Sequence, residues 1–265
     1  MKKTIKQLLA AFIVAILTLP FISCSEKADV KQMYYEIKIY SVPQPGQAES
    51  VDKYLADALI PALHRSGITN VGAFKPIEAD TARFGKFVFV LIPYGTGEKY
   101  ISMDAVLEND AVYQQAAKSF NDAPYDNPPF ARYECIFMKA FKGMPQMKAP
   151  SFSTPAGERI YELRSYESAT EEKAAKKRAM FNDGEIALFE KLGFNTVFCG
   201  QVLAGSQMPN LMYMTTFQDI KTRTEKWAGF GKHPDWINMK DLEIYKNTVS
   251  KNTQYLLHPT SYSDF

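Results

Sequence analysis

The stretch Tyr35-Glu36-Ile37-Lys38-Ile39-Tyr40 returns as Tyr161-Glu162-Leu163-Arg164-Ser165-Tyr166, an offset of 126 from position 35 to position 161. At the same offset Ile60, Leu63 and Gly67 meet Ile186, Phe189 and Gly193. Further along, Phe87-Val88-Phe89-Val90 corresponds to Leu211-Met212-Tyr213-Met214 at 124, and Ala111-Val112-Tyr113 to Pro234-Asp235-Trp236 at 123. An ordered series of matches whose offset falls slowly is what a duplication with small loop deletions leaves behind. The period is too long for a solenoid repeat and has the size of a domain. Each half must therefore fold in the same way, and the two must share one solution for burying their apolar faces.

Each half reads as the same series of elements. A strand opens it (34–40 or 159–166). An amphipathic helix follows, marked in the first half by Val51, Tyr54, Leu55, Ala58, Leu59, Ala62 and Leu63 at spacings of three and four. Pro61 is expected to bend its last turn. In the second half Ser168 and Glu171 form a capping-box pattern. Gly67 and Gly193 stand where a helix ends in a left-handed residue. Strands at 70–74 or 196–201 and at 86–92 or 211–217 come next; the latter pair is apolar on both faces and so central and buried. A second helical region (102–120 or 219–239) and a last strand (132–141 or 253–257) complete the unit. This is the β-α-β-β-α-β order of a ferredoxin-like unit, whose sheet carries helices on one face and needs cover on the other. The expected fold class is α+β: two tandem ferredoxin-like (βαββαβ) units forming an intrachain dimeric α/β barrel, with sheet packed against sheet around a shared interior. The run from Gly143 to Gly157, with Pro145, Pro150 and Pro155, reads as a linker. The domains are then 24–142 and 159–265, joined by 143–158.

Residues 1–23 read as an address. Lys2, Lys3 and Lys6 precede an unbroken apolar run from Leu8 to Leu17, too short for a bilayer-spanning helix and suited to a secretory signal. The sequence Phe21-Ile22-Ser23-Cys24 resembles a bacterial lipobox, in which the cysteine is lipidated and becomes the first residue. Each buried methylene of such a lipid contributes ~0.8 kcal/mol of membrane affinity, and several chains on one cysteine suffice for attachment. The expectation is a lipoprotein of the cell envelope held to the membrane at Cys24; Ser25 points to the outer membrane or periplasmic face. The whole chain has 31 basic and 29 acidic residues, and the signal removes three of the basic ones, leaving 28 against 29. No basic stripe suggests nucleic acid as a partner. With hydrophobic residues at 46%, a disordered chain is excluded. Cys135 and Cys199 sit in apolar, strand-like runs and read as free thiols, with a disulfide between them left open.

The start of the second half also resembles the "YELRxY" opening of NIPSNAP-family domains. Arg223, Trp227 and Phe230, followed by His233-Pro234-Asp235-Trp236, resemble that family's pattern of arginine, tryptophan and "F..dP.W". The first half keeps the opening strand but lacks both tryptophans. The resemblance implies a dimeric α/β-barrel fold of ferredoxin-like units. It brings no defined molecular function, although the broader fold includes cofactor-free monooxygenases, isomerases and haem-handling enzymes.

Strand alternation sorts the candidate site residues. Glu36, Lys38 and Tyr40 share one face of the first strand, and Glu162, Arg164 and Tyr166 share the equivalent face of its copy. With the apolar faces against the helices, both polar sets are expected to point into the interior between the sheets. There the cations would orient an anion, the phenols would offer hydroxyls, and a desolvated carboxylate would suit proton transfer. The competing reading is a structural ion pair holding the barrel together. His64 and His233 are further ligand candidates, though His64 suits a helix C-terminus and His233 a cap. His258 falls in a tail-like segment. Trp227, Phe230 and Trp236 read as a helix packing face. The histidine spacing fits no metal site, and the sequence has no phosphate loop, dinucleotide fingerprint or nucleophile elbow, so no cofactor is expected.

Three functions follow from these readings. The first is an envelope lipoprotein that binds a small molecule or a partner at an inter-sheet cavity. The second is a cofactor-independent oxygenase or isomerase, and the third a non-enzymatic interaction module at the membrane surface, with room for a higher oligomer. The address generates one prediction: Cys24→Ser shifts the protein from the membrane pellet to the soluble fraction of lysed cells, and a variant that stays with the membranes refutes the anchor.

Overall fold

In strand β1 (Tyr34–Ser41), residues Tyr35, Ile37 and Ile39 turn to one side and Glu36, Lys38 and Tyr40 to the other, and the whole architecture follows from which side is enclosed. The computed structural model describes residues 30–150 and 152–265; the signal segment and Cys24 lie outside them. Seven further strands follow β1: β2 (Gly72–Pro76), β3 (Phe87–Tyr94), β4 (Arg132–Ala140), β5 (Ile160–Glu167), β6 (Asn195–Ala204), β7 (Asn210–Phe217) and β8 (Lys251–Pro259). They close one antiparallel barrel in the order β1-β3-β2-β8-β5-β7-β6-β4. Each half thus lays down its strands in the same sequence, β4-β1-β3-β2 and β8-β5-β7-β6. The halves meet edge to edge at two seams. One pairs Phe74 with Pro259 and Pro76 with Leu257; the other pairs Met138 with Val202 and Ala140 with Gly200.

Edge-to-edge closure replaces the expected stacking of one sheet on another, and side chains of the described residues fill the interior where stacking implies a lumen. The barrel is filled by Tyr35, Ile37, Phe74, Phe89, Met138, Tyr161, Phe198 and Met212, all at most 2% exposed. An eight-stranded barrel is just wide enough for side chains to fill it. An inward residue is enclosed from every direction, so the large apolar side chains go inward. Glu36, Lys38 and Tyr40, and likewise Glu162, Arg164 and Tyr166, face outward beneath the helices. The expected orientation of the polar faces is therefore inverted.

The helices form two outer layers. Over the first half lie α1 (Gln47–Tyr54), a π-helical turn (Leu55–Leu59), α2 (Ile60–Arg65), α3 (Gly97–Ile101), α4 (Met103–Glu108) and α5 (Ala111–Asn121). Over the second lie α6 (Glu171–Met180), a π-helical turn (Phe181–Glu185), α7 (Ile186–Lys191), α8 (Ile220–Lys232) and α9 (Pro234–Lys240). The two π turns stand 126 residues apart, at the register of the duplication. The same register places Ala187 opposite Pro61, so the π turn does not depend on a proline; Pro61 follows it in the first turn of α2. Both expected glycine ends hold, with φ of +80° at Gly67 and +66° at Gly193.

The second helical regions differ from their expected outlines. In the first half the region starts at Gly97 and breaks at Ser102 and again at Asn109–Asp110; in the second, His233 and Pro234 divide it. The cap of α6 is Thr170, whose hydroxyl accepts from Lys173 N at 3.2 Å, while Ser168 donates to the Thr248 carbonyl at 2.7 Å. His258 lies in strand β8, its ring nitrogen 2.8 Å from the Arg159 carbonyl oxygen. Between the halves, Met144 is buried against the second helix layer, and Lys148 N donates to the Val197 carbonyl at 2.9 Å.

Candidate functional site

Beneath the second helix layer the polar face of β5 is consumed by its own neighbours. Glu162 is fully buried and accepts from Arg164 Nε at 2.8 Å, from Arg223 Nε and Nη2 at 2.9 and 2.8 Å, and from Trp227 Nε1 at 2.6 Å. Arg164 lies 3.7 Å from the centre of the Trp227 ring and donates to Tyr166 at 3.2 Å; Tyr166 in turn meets the Tyr213 hydroxyl at 2.8 Å. Burial alone would raise the Glu162 carboxyl. The Arg223 hydrogen bond and the charges of Arg164 and Arg223 outweigh it, holding the group below the ordinary carboxylate range. Its ionised form therefore supplies stability that is present above the ordinary carboxylate pKa and lost as pH falls through the lowered one. Around it Phe181, Phe189, Phe194, Phe230 and Trp236 fill the layer, and a buried Lys177–Glu185 pair at 2.8 Å sits among them.

The equivalent place in the first half is built differently. Glu36, 3% exposed, accepts from Tyr94 Oη at 2.9 Å and from Cys135 Sγ at 3.0 Å, and Lys38 Nζ stands 3.4 Å away. Tyr100 Oη lies 3.5 Å from Cys135 Sγ. Strand pairing dictates this grouping: Lys38 faces Cys135 and Tyr40 faces Tyr133 across β4, while Tyr34 faces Tyr94 across β3. The helix caps Thr96 and Asp219 stand 123 residues apart, and that offset sets Tyr100 against Arg223 and Asp104 against Trp227. Where the second half inserts a guanidinium and an indole, the first half has a phenol and a short carboxylate. A cavity of about 340 Å³ remains, lined by Glu36, Lys38, Leu63, Tyr94, Tyr100, Asp104, Tyr133 and Cys135 among others.

The electrostatics follow from this enclosure. Burial opposes the charge of Lys38, but Glu36, ahead of Tyr40, Cys135 and Tyr133, holds the ammonium above its ordinary value. Burial, with Glu36 next, pushes the Cys135 thiol up to about 11 and the Tyr94 phenol well above its usual range. At neutral pH the site thus presents, beside Glu36, a cation, three phenolic hydroxyls and a protonated thiol. It suits a ligand that carries an anionic or hydrogen-bonding oxygen on an aromatic body. Among the described residues no group of three or more His, Cys, Asp or Glu side chains is arranged to hold a metal ion.

The sequence-expected residues thus divide into two sites. Glu36 and Lys38 come together, with Tyr40 on the far side of Lys38; Glu162, Arg164 and Tyr166 form the closed network under the other layer. The two sets share no enclosure. His64 lies at the edge of the first layer, 2.9 Å from Asp264 Oδ2, and His233 caps α9 by accepting from Asp235 N at 3.1 Å. Neither lines the cavity. Both cysteines are free; Cys199 is fully buried, while Cys135 lines the site. Tyr94, Tyr100, Tyr133 and Cys135 escaped the strand-alternation reading. Their signal lay in the duplication: extending the offset of 123 past the third strand exposes the loss of Arg223 and Trp227 in the first copy.

Comparison with known proteins bears on the half that is closed. Residues 161–264 match the family model described as NIPSNAP, and this span holds Glu162, Arg164, Arg223 and Trp227. Residues 161–264 are a NIPSNAP domain. No curated protein sequence matches the chain. Solved structures extend the likeness to both halves. A "putative monooxygenase" from Fusobacterium nucleatum is 7% identical with a TM-score of 0.56, covering 86% of this chain and 93% of its own. One from Lactobacillus acidophilus is 10% identical at 0.55, covering 86% and 94%. An anthrone oxidase-like protein is 8% identical at 0.50, covering 87% and 92%. At such identities the likeness is one of fold: a dimeric α/β barrel in which the NIPSNAP domain supplies half the strands.

Two predictions follow from the contrast between the halves. Glu162→Gln leaves one buried and one half-buried guanidinium group short of their counter-charge and costs about 3–5 kcal/mol in urea unfolding. Glu36→Gln keeps an acceptor for Tyr94 and Cys135 and costs about 1–2 kcal/mol. Equal losses would refute the asymmetry. Alkylation of Cys135 by iodoacetamide, followed by peptide mass spectrometry, should be slow at pH 7 and rise toward an inflection near about 11, with the inflection moving down in Glu36→Gln. A thiol already fully reactive at pH 8 would overturn the burial described here.

Proposed function

We propose that this chain consists of two fused ferredoxin-like units of unequal duty: a NIPSNAP domain that serves as scaffold, and a first unit that binds a small aromatic compound bearing an oxygen anion or phenol. The observation that carries this reading is the open cavity at Glu36 and Lys38 in the place that Arg223 and Trp227 fill in the other half. Its volume is in the range of small-molecule sites, and its walls combine apolar side chains with a few convergent polar groups. The expected address completes the reading: a lipoprotein anchored through Cys24 would present this pocket at a membrane surface of the cell envelope. The pocket lies beneath a helix layer rather than between the sheets.

A second reading, a cofactor-independent oxygenase or isomerase, is favoured by one feature. Glu36 is a buried carboxylate at the cavity wall, placed to take a proton from a bound phenol or an acidic C–H. The fold of the monooxygenase-like structures is compatible with it. Binding without turnover in Glu36→Gln would separate this reading from simple binding.

The asymmetry itself supplies the test. The double substitution Tyr100→Arg and Asp104→Trp rebuilds in the first half the side chains that close the second. It should raise the melting temperature and abolish the capture of small molecules detected by native mass spectrometry of the protein purified from its host. Ligand capture that survives the filling places the binding elsewhere and refutes the reading.

A further inference from the structure

A second cavity, of about 350 Å³, adjoins the first across Lys38 and Tyr133, both of which line each of the two. Its walls are Tyr40, Tyr54, Phe120, Phe130 and the loop between α5 and β4. The rings there are already ordered. Tyr54 stacks on Phe120 with centroids 4.0 Å apart, Phe120 on Phe130 at 5.6 Å, and Phe130 meets Tyr133 edge-on at 5.7 Å. The loop carries Pro124, Pro128 and Pro129, which restrict its backbone, and it is tied down by Gln47 Nε2 donating to the Pro128 carbonyl at 3.0 Å and Ala131 N donating to the Ser41 carbonyl at 2.8 Å. A flat aromatic slot of this kind is pre-organised for a ring.

Lys38 makes the two chambers one site. Its ammonium has three donors, and among the described residues none of them makes a hydrogen bond: Glu36 lies 3.4 Å away and the Tyr133 ring centre 5.8 Å away. The side chain is 23% exposed. Its counterpart Arg164 is spent on Glu162, Tyr166 and Trp227. Lys38 is ion-paired with Glu36 alone, and a largely buried cation with donors left over where two chambers meet can take a further anionic oxygen.

The geometry points to one bipartite site whose ligand is an elongated aromatic anion, with its carboxylate or phenolate on Lys38, one ring against Tyr94 and Tyr100, and a second ring in the slot under the proline loop. This rests on the small-molecule reading above and adds the second chamber and the class of ligand.

Titration calorimetry of the full chain with benzoate and with N-phenylanthranilate, a one-ring and a two-ring carboxylate, tests it. N-phenylanthranilate should bind about tenfold or more tightly than benzoate, since burying a further ring is worth ~1.5–3 kcal/mol. Ala123→Trp, which fills the loop-side chamber from a partly exposed loop position, should erase that advantage and leave benzoate unchanged; Ala123→Leu should reduce it. Lys38→Met should weaken both probes about tenfold or more. Equal affinities in the unaltered protein, or an advantage that survives Ala123→Trp, overturn the two-chamber site while leaving the first cavity standing. Failure of both probes to bind, or binding indifferent to both Lys38→Met and Asp104→Trp, overturns the small-molecule reading together with it.

Discussion

The closure of eight strands into a filled barrel decides where polar groups are permitted. Side chains such as Phe74, Phe198 and Met212 enter a space bounded on all sides by sheet, where an unpaired charge would face a desolvation cost of several kcal/mol. The outer face meets helices, and a helix layer has rims. Lys38 reaches one and keeps partial contact with solvent; Arg164, further in, keeps almost none. Buried charged groups in this fold are therefore displaced outward, into the layer between sheet and helix, and that layer exists twice.

Duplication gave both layers the same backbone, down to the paired π turns, so the difference between them is a difference of side chains. In the NIPSNAP domain the sequence places a long cation and an indole on the helix above Glu162, and aromatic rings complete the filling. The first half has broken that helix at Ser102 and set Tyr100 and Asp104 in the same places. Neither reaches Glu36 as Arg223 reaches Glu162. Tyr94 and Cys135 donate instead, two weaker neutral partners for one buried carboxylate.

Much of this was legible before any coordinates. The offset of 126 carried the repeated strands, the helix-ending glycines and the shared fold. The pairing of Glu36 with Lys38 and of Glu162 with Arg164 was also in the alternation of one strand. What alternation could not give was the sign of the face. Glu36-Lys38-Tyr40 and Tyr35-Ile37-Ile39 are both compatible with a half-buried strand, and the choice between them depends on whether the sheet's second face is stacked or rolled closed, a non-local fact. Tyr94, Tyr100, Tyr133 and Cys135 come from three different elements, and none has a partner nearby in sequence. His64 and His233 are titratable types, yet His64 ties the end of α2 to Asp264 and His233 caps α9.

A fused pair also changes what stability allows. Folded domains hold only about 5–15 kcal/mol in reserve, and a largely buried cation with unsaturated donors consumes part of it. In a symmetric assembly of two identical chains, opening a cavity in one layer opens it in both. Here a single change is made once. The NIPSNAP domain, with its saturated carboxylate and continuous aromatic packing, shares the two barrel seams with the first half and can hold it in register while Lys38 is held by Glu36 alone. That the recognisable family pattern lies in the closed half and the cavity in the divergent one is the arrangement this economy favours.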